Sequence, residues 1–159
     1  MRLIEIDSRE KPKAISSIID YFEQHNIEYV TNKLLFGDYR DYNKPGIVVD
    51  RKHNIDELAK NCAGDHDRFR RELERAKKAG ATLYILVEQN RYMVNGERIK
   101  VETISDLIRW SSKYTRVRGD KMFYVLAGWM HEFPLRVMFC DRRQTGRMIV
   151  QIIYGEENE

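Results

Sequence analysis

The sequence has 159 residues, 42% of them hydrophobic and 33% charged, the balance of a globular protein with a well-charged surface. No run of about 18 apolar residues exists, which excludes a membrane-spanning helix, and Met1-Arg2 leads straight into a strand-like segment with acids at Glu5 and Asp7 rather than a signal peptide. A net charge of +3 says little about nucleic acid by itself, and Cys62 and Cys140, far apart and without ligand spacing, predict reduced thiols in a cytoplasmic protein.

In chain order, residues 2–7 alternate apolar and polar, the period of a strand. Residues 13–23 place Ile15, Ile18, Ile19 and Phe22 at helical spacing behind Pro12, and 27–31 predict a second strand. Residues 34–42 and 47–52 predict two strands joined by the turn Asn43-Lys44-Pro45-Gly46. A short helix is expected over 55–61 and a longer one over 67–78, ended by Gly80. Residues 82–88 form an almost continuous apolar run, as in a strand buried on both faces. Residues 92–101 suggest a hairpin around Asn95-Gly96. Helices are predicted over 103–114 and 121–131, a strand over 135–139, and a last helix from Arg142 capped by Asp141, with the tail 156–159 frayed. This order gives one mixed-sheet α/β domain over 1–159 with helices on both faces of a central sheet.

Chemistry concentrates in the first third of the chain. In the strand 47–52 side chains alternate, so Asp50 and Lys52 share a face and Arg51 takes the other. Gly37-Asp38 lies on the preceding strand, and a hairpin can bring Asp38 beside Asp50. Paired carboxylates suit Mg²⁺ or Mn²⁺, and a neighbouring lysine can orient a water or stabilise charge on a phosphate. Asp7, ending the first strand, joins them if that strand is adjacent. Each residue alone also fits a surface charge or an edge-strand ion pair. A second feature lies at 109–121, where Arg109, Lys113, Arg116, Arg118 and Lys121 interleave with Trp110 and Tyr114 against a single acid, Asp120. Such a stretch can neutralise phosphates and stack bases, or it can be a solvated helix edge. The four histidines lack ligand spacing, and no phosphate-binding G-x-x-x-x-G-K-[ST] loop exists.

Taken together, the motifs Asp7-Ser8-Arg9-Glu10, Gly37-Asp38, Asp50-Arg51-Lys52-His53-Asn54-Ile55-Asp56, Arg68-Phe69 and Tyr84-Ile85-Leu86-Val87-Glu88 resemble the XPF/Hef-type (ERCC4-domain) nucleases, whose signature is G-D-x(n)-E-R-K-x-x-x-D. The resemblance implies a restriction-endonuclease-like fold and metal-dependent DNA cleavage. It implies metal binding by Asp7, Asp38 and Asp50, catalysis by Lys52, and supporting roles for Arg51 and Asp56. It also implies positions near the scissile phosphate for Glu10 and Arg68, with Arg9 a further DNA contact. Asp50 departs from the family's usual Glu. The stretch 90–132 exceeds that of archaeal members and could be a DNA-binding addition or a dimer surface.

Neither the tandem helix-hairpin-helix domain nor the helicase that members often carry is evident. A free-standing phage or prokaryotic endonuclease is therefore the expectation, with selectivity for branched or forked DNA left open. A non-catalytic DNA-binding or dimerisation module of the same fold is the rival, disfavoured by the intact Asp38, Asp50 and Lys52. Cleavage of RNA instead of DNA is left open. A homodimer, if formed in the family's manner, would use the apolar faces around Trp129 and 148–153, which serve a core equally well.

Overall fold

The computed structural model describes residues 1–155; the expected fraying of 156–159 lies outside them. Eight strands and five α-helices follow in the order β1 (Leu3–Asp7), α1 (Ser16–Gln24), β2 (Glu28–Asn32), β3 (Tyr39–Asp41), β4 (Ile47–Lys52), α2 (Ile55–Cys62), α3 (His66–Lys78), β5 (Thr82–Val87), β6 (Arg91–Val94), β7 (Glu97–Lys100), α4 (Gly119–Glu132), β8 (Leu135–Phe139) and α5 (Thr145–Tyr154). Six strands make one mixed sheet, ordered β2-β1-β3-β4-β5-β8, and β6-β7 form a separate hairpin. The β1-β3 and β3-β4 pairs are antiparallel, while β2 runs parallel to β1, and β4, β5 and β8 run parallel to one another. The fold is the expected α/β arrangement, a central mixed sheet with helices on both faces.

Alternation along the central strands separates two apolar clusters. Val48 on β4 and Leu83, Ile85 and Val87 on β5 face α2, α3 and α4, where Leu58, Phe69, Leu73, Leu126 and Trp129 complete the packing. Val49 and Leu86 face the other way, onto Ile18 and Phe22 of α1 and Ile149 and Ile152 of α5. Trp129, Ile149 and Ile152 are therefore core residues, while Met148 and Ile153 of the faces considered above for pairing two copies are only partly buried.

Two expected elements are corrected. The strand expected over 34–42 is regular only at Tyr39–Asp41. The Asp7 carboxylate accepts the Leu34 N–H at 2.9 Å, and Phe36 drops into the core, so residues 34–38 form a loop folded around the end of β1. The helix expected over 103–114 is a single 3-10 turn, Ile104–Leu107. Thr103 and Asp106 form a capping box there, and Asp106 also takes the Glu102 and Thr103 N–H groups. Trp110 then plugs the core, and its carbonyl accepts the Gly119 N–H at 2.9 Å, closing an irregular loop against the start of α4. The expected turn at Asn95-Gly96 is present, with both residues at positive φ. Asp141 accepts the Arg143 N–H as a cap, over a short 3-10 turn that precedes α5.

Candidate active site

The site sits where β1 and β4 end and the antiparallel β3 begins, beneath α3. Asp7 closes β1 and is buried; its carboxylate accepts the Leu34 N–H at 2.9 Å and pairs with Arg9 Nε at 2.7 Å. Gly37 carries φ +72°, and a Cβ there would lie 2.2 Å from Val48 Cγ1, so only glycine lets the loop press against β4. That approach carries Asp38 to the strand: its N–H donates to the Val49 carbonyl and its carboxylate accepts the Arg51 N–H, both at 2.8 Å.

Asp50 is 5% exposed. Its Oδ2 stands 3.3 Å from Lys52 Nζ, yet this buried oxygen has no hydrogen-bond partner among the described residues. Burial raises the Asp38 carboxyl well above its usual range, and the neighbouring charges of Asp50 and Glu10 push it further in the same direction. Burial alone would depress the Lys52 ammonium, but Asp50, Glu72 and Asp38 outweigh it and hold the group above its ordinary value. Lys52 is thus a cation in this arrangement, suited to orienting and stabilising negative groups rather than to accepting a proton.

On the opposite face of β4, Arg51 pairs with Glu10 at 2.8 Å and with Glu88 at 2.7 Å, all three nearly buried. Tyr39 donates to Glu10 at 2.7 Å and Thr145 donates to Glu88 at 2.6 Å. This network locks β4 to the start of α5 and leaves Glu10 engaged by the arginine.

A cleft of about 440 Å³ opens on the acids, bordered by Arg9, Gly37, Arg68, Glu72 and Arg75. No set of three or more His, Cys, Asp or Glu side chains among the described residues is arranged to hold a metal unaided. The donors present are oxygens only, with an orphaned buried carboxylate oxygen on Asp50. That suits a hard divalent ion which keeps several waters, as Mg²⁺ does.

The model of the ERCC4 domain matches residues 6–150. The chain belongs to the ERCC4 domain family. It is a family of nucleases. Among solved structures, the chain is similar to XPF from Aeropyrum pernix in complex with DNA, at 18% identity and a TM-score of 0.65 over 96% of this chain and 63% of that one. XPF from Aeropyrum pernix in a second structure matches at 20% identity and 0.65, over 94% and 62%. The ERCC4 chain described here thus spans less than two thirds of the length of those proteins, and at such identity the likeness establishes the fold. None of the curated proteins compared matches it.

Within this ERCC4 domain, Asp7, Asp38, Asp50, Lys52, Arg9 and Arg68 come together around the cleft and its continuation. Arg51 and Glu10 also border that continuation, paired with each other. Asp56, in the first turn of α2, lines neither depression that opens on Asp38 and Asp50, and its buried Oδ1 has no hydrogen-bond partner among the described residues. The basic residues 109–121 also line neither depression. Arg109 pairs with Glu97 and Arg118 with Asp120, Trp110 is core, and Tyr114 is exposed. Sequence reasoning missed Glu72, whose carboxylate accepts the Gly37 N–H at 2.9 Å, and Arg75 beside it. Their spacing from Arg68, four and seven residues on, puts all three on one helix face and was the available signal.

Proposed function

We propose that the chain is a divalent-metal-dependent DNA endonuclease that hydrolyses phosphodiester bonds, with branched or forked DNA as its preferred substrate. The observation that carries this reading is the juxtaposition of Asp38 and Asp50, one with a raised carboxyl and one with an unsatisfied buried oxygen, beside a protonated Lys52 in a cleft edged by arginines. The structural likeness to an XPF captured with DNA supports a DNA substrate.

In this reading Asp38 and Asp50, with Asp7 beside them, would hold Mg²⁺ or Mn²⁺, and Asp7 also buttresses the loop through the Leu34 amide. The bound ion would polarise the phosphate and lower the pKa of an attacking water. Lys52 donates to that water or to the non-bridging phosphate oxygen, so that charge building during attack meets a cation already in place. Arg9, Arg68 and Arg75 take the backbone phosphates and fix the strand across the acids. Glu72 holds the Gly37 amide and thereby the position of Asp38.

Cleavage of labelled forked, nicked and linear duplexes in Mg²⁺ or Mn²⁺ tests the proposal. The parent should cut, forks best, and EDTA should stop it. Asp50→Asn and Lys52→Ala should each slow cutting by about 100-fold or more, the range seen when a preorganised electrostatic group is removed. A parent that leaves all three substrates intact in either metal sinks the reading, as do variants that cut at the parent's rate.

A further inference from the structure

The cleft continues past the acids. A second depression shares Arg9, Asp38 and Asp50 with the first and runs on past Lys11 and Lys52 to Ala14. There it meets a third, of about 460 Å³, bordered by Lys13, Ser16, Ser17, His53, Arg142 and Arg143. Strand topology explains the junction. The parallel strands β4, β5 and β8 finish side by side, with the Glu88 N–H donating to the Lys52 carbonyl and the Cys140 N–H to that of Val87. His53, Glu88 and Arg142, each just beyond a strand, therefore become neighbours at the carboxyl edge of the sheet, where ligands of parallel sheets gather.

The charge in this third depression is uncompensated. Glu88 is committed to Arg51 and Thr145, and Arg143 to Asp141, which also holds Arg91. Lys13 and Arg142 meet no carboxylate among the described residues. The Arg142 guanidinium instead lies 3.3 and 3.5 Å from the two ring nitrogens of His53, which fixes it at the rim without neutralising it. Two exposed cations, with the Ser16 and Ser17 hydroxyls in the first turn of α1, where Ser16 Oγ also reaches the Lys13 carbonyl at 3.5 Å, offer a donor-rich notch for a phosphate. By contrast, Arg109 and Arg118 of the basic loop are already paired with acids.

We propose that the notch formed by Lys13, Ser16, His53 and Arg142 binds the backbone phosphate of a nucleotide flanking the cleaved bond on the same strand. This subsite rests on the nuclease reading but is tested separately from it. Fluorescence anisotropy in EDTA would follow binding of a labelled single strand of about 16 nucleotides and of a forked duplex as NaCl is raised. Each phosphate neutralised adds about 0.7 to the salt slope for single strands and about 0.9 for duplex DNA, so losing this one phosphate through Lys13→Ala/Arg142→Ala should lower the slope by about 0.7–0.9. Lys60→Ala/Lys78→Ala, removing two exposed cations elsewhere, should keep the parent's slope, and matching thermal midpoints would show that all three proteins are folded. A double variant with the parent's slope and affinity overturns the subsite. Cleavage assayed alongside separates the two claims: a parent that never cuts but loses slope in the variant refutes the nuclease reading and leaves the phosphate notch standing.

Discussion

Arg51 shows how one residue can border the acid cluster and serve it by holding its neighbours in place. Its guanidinium bridges Glu10 and Glu88, with side-chain exposures of 10%, 11% and 6%. Removing one member of such a buried set costs about 3–5 kcal/mol, because the remaining charges are stranded rather than because the pair is worth that much. Arg51→Met should therefore lower the urea midpoint strongly, and adding Glu10→Gln and Glu88→Gln to it should restore part of the loss. Glu72 acts differently. Its carboxylate takes the Gly37 amide, while burial, and then Asp50, raise its own carboxyl. Glu72→Gln keeps an acceptor for that amide and removes a charge next to Asp50; Glu72→Ala removes both. The alanine variant should lose cleavage by roughly tenfold or more, the cost of misplacing a positioned group. The glutamine variant should recover most of the rate while requiring more Mn²⁺ for half-maximal activity. Equal losses in both variants, with an unchanged metal requirement, would reduce Glu72 to a packing role.

At the scale of elements, the strands that carry the acids were readable because a half-buried strand writes its faces into a period of two. Asp50 and Lys52 on one side and Arg51 on the other follow from that alone, as does the buried run of β5. What misled was competition from side chains. The apolar residues 34–42 look like one strand, but Asp7 captures the Leu34 amide and Gly37 turns the chain, contacts that only the folded neighbours supply. Likewise 103–114 has helical spacing, yet Asp106 takes two amides at its start and the Trp110 carbonyl is claimed by Gly119. Glu72 is only half legible for a related reason: its spacing from Arg68 marks a shared helix face, but which end of the sheet α3 covers is a tertiary fact. The loop closure has a sharp dependence. A Cβ at Gly119 would fall 1.8 Å from the Leu107 carbonyl oxygen, a backbone atom that cannot step aside. Gly119→Ala should cost about 1–3 kcal/mol through overpacking, seen in a melt as a drop of about 2–4 °C per kcal/mol. A melt unchanged from the parent would show that the loop does not close on α4 this way.

For the molecule as a whole, the cleft trades stability for function, and pH exposes the trade. The metal-free protein holds Asp38 with a carboxyl raised by burial and by Asp50. A group raised in the folded state contributes its stability below the unfolded value, near 3.8, and loses it as pH climbs through the folded one. The metal-free parent should therefore lose stability between that value and neutrality relative to Asp38→Asn, whose amide carries no charge to repel Asp50. Carboxylates pulled down by arginines, such as Asp141 beside Arg143, push the other way, so the comparison must be parent against variant at each pH. A divalent ion that binds only the folded chain should reverse the order. At about 100 times its dissociation constant it adds about 2.7 kcal/mol to the parent, and Asp38→Asn, having lost a ligand, should gain much less. Thermal midpoints from acid to neutral pH, with EDTA and then with Mn²⁺, test both halves. Parallel pH curves for parent and variant would mean that the two acids do not repel each other in the folded chain. Equal Mn²⁺ gains would mean that the ion, if it binds, is held elsewhere.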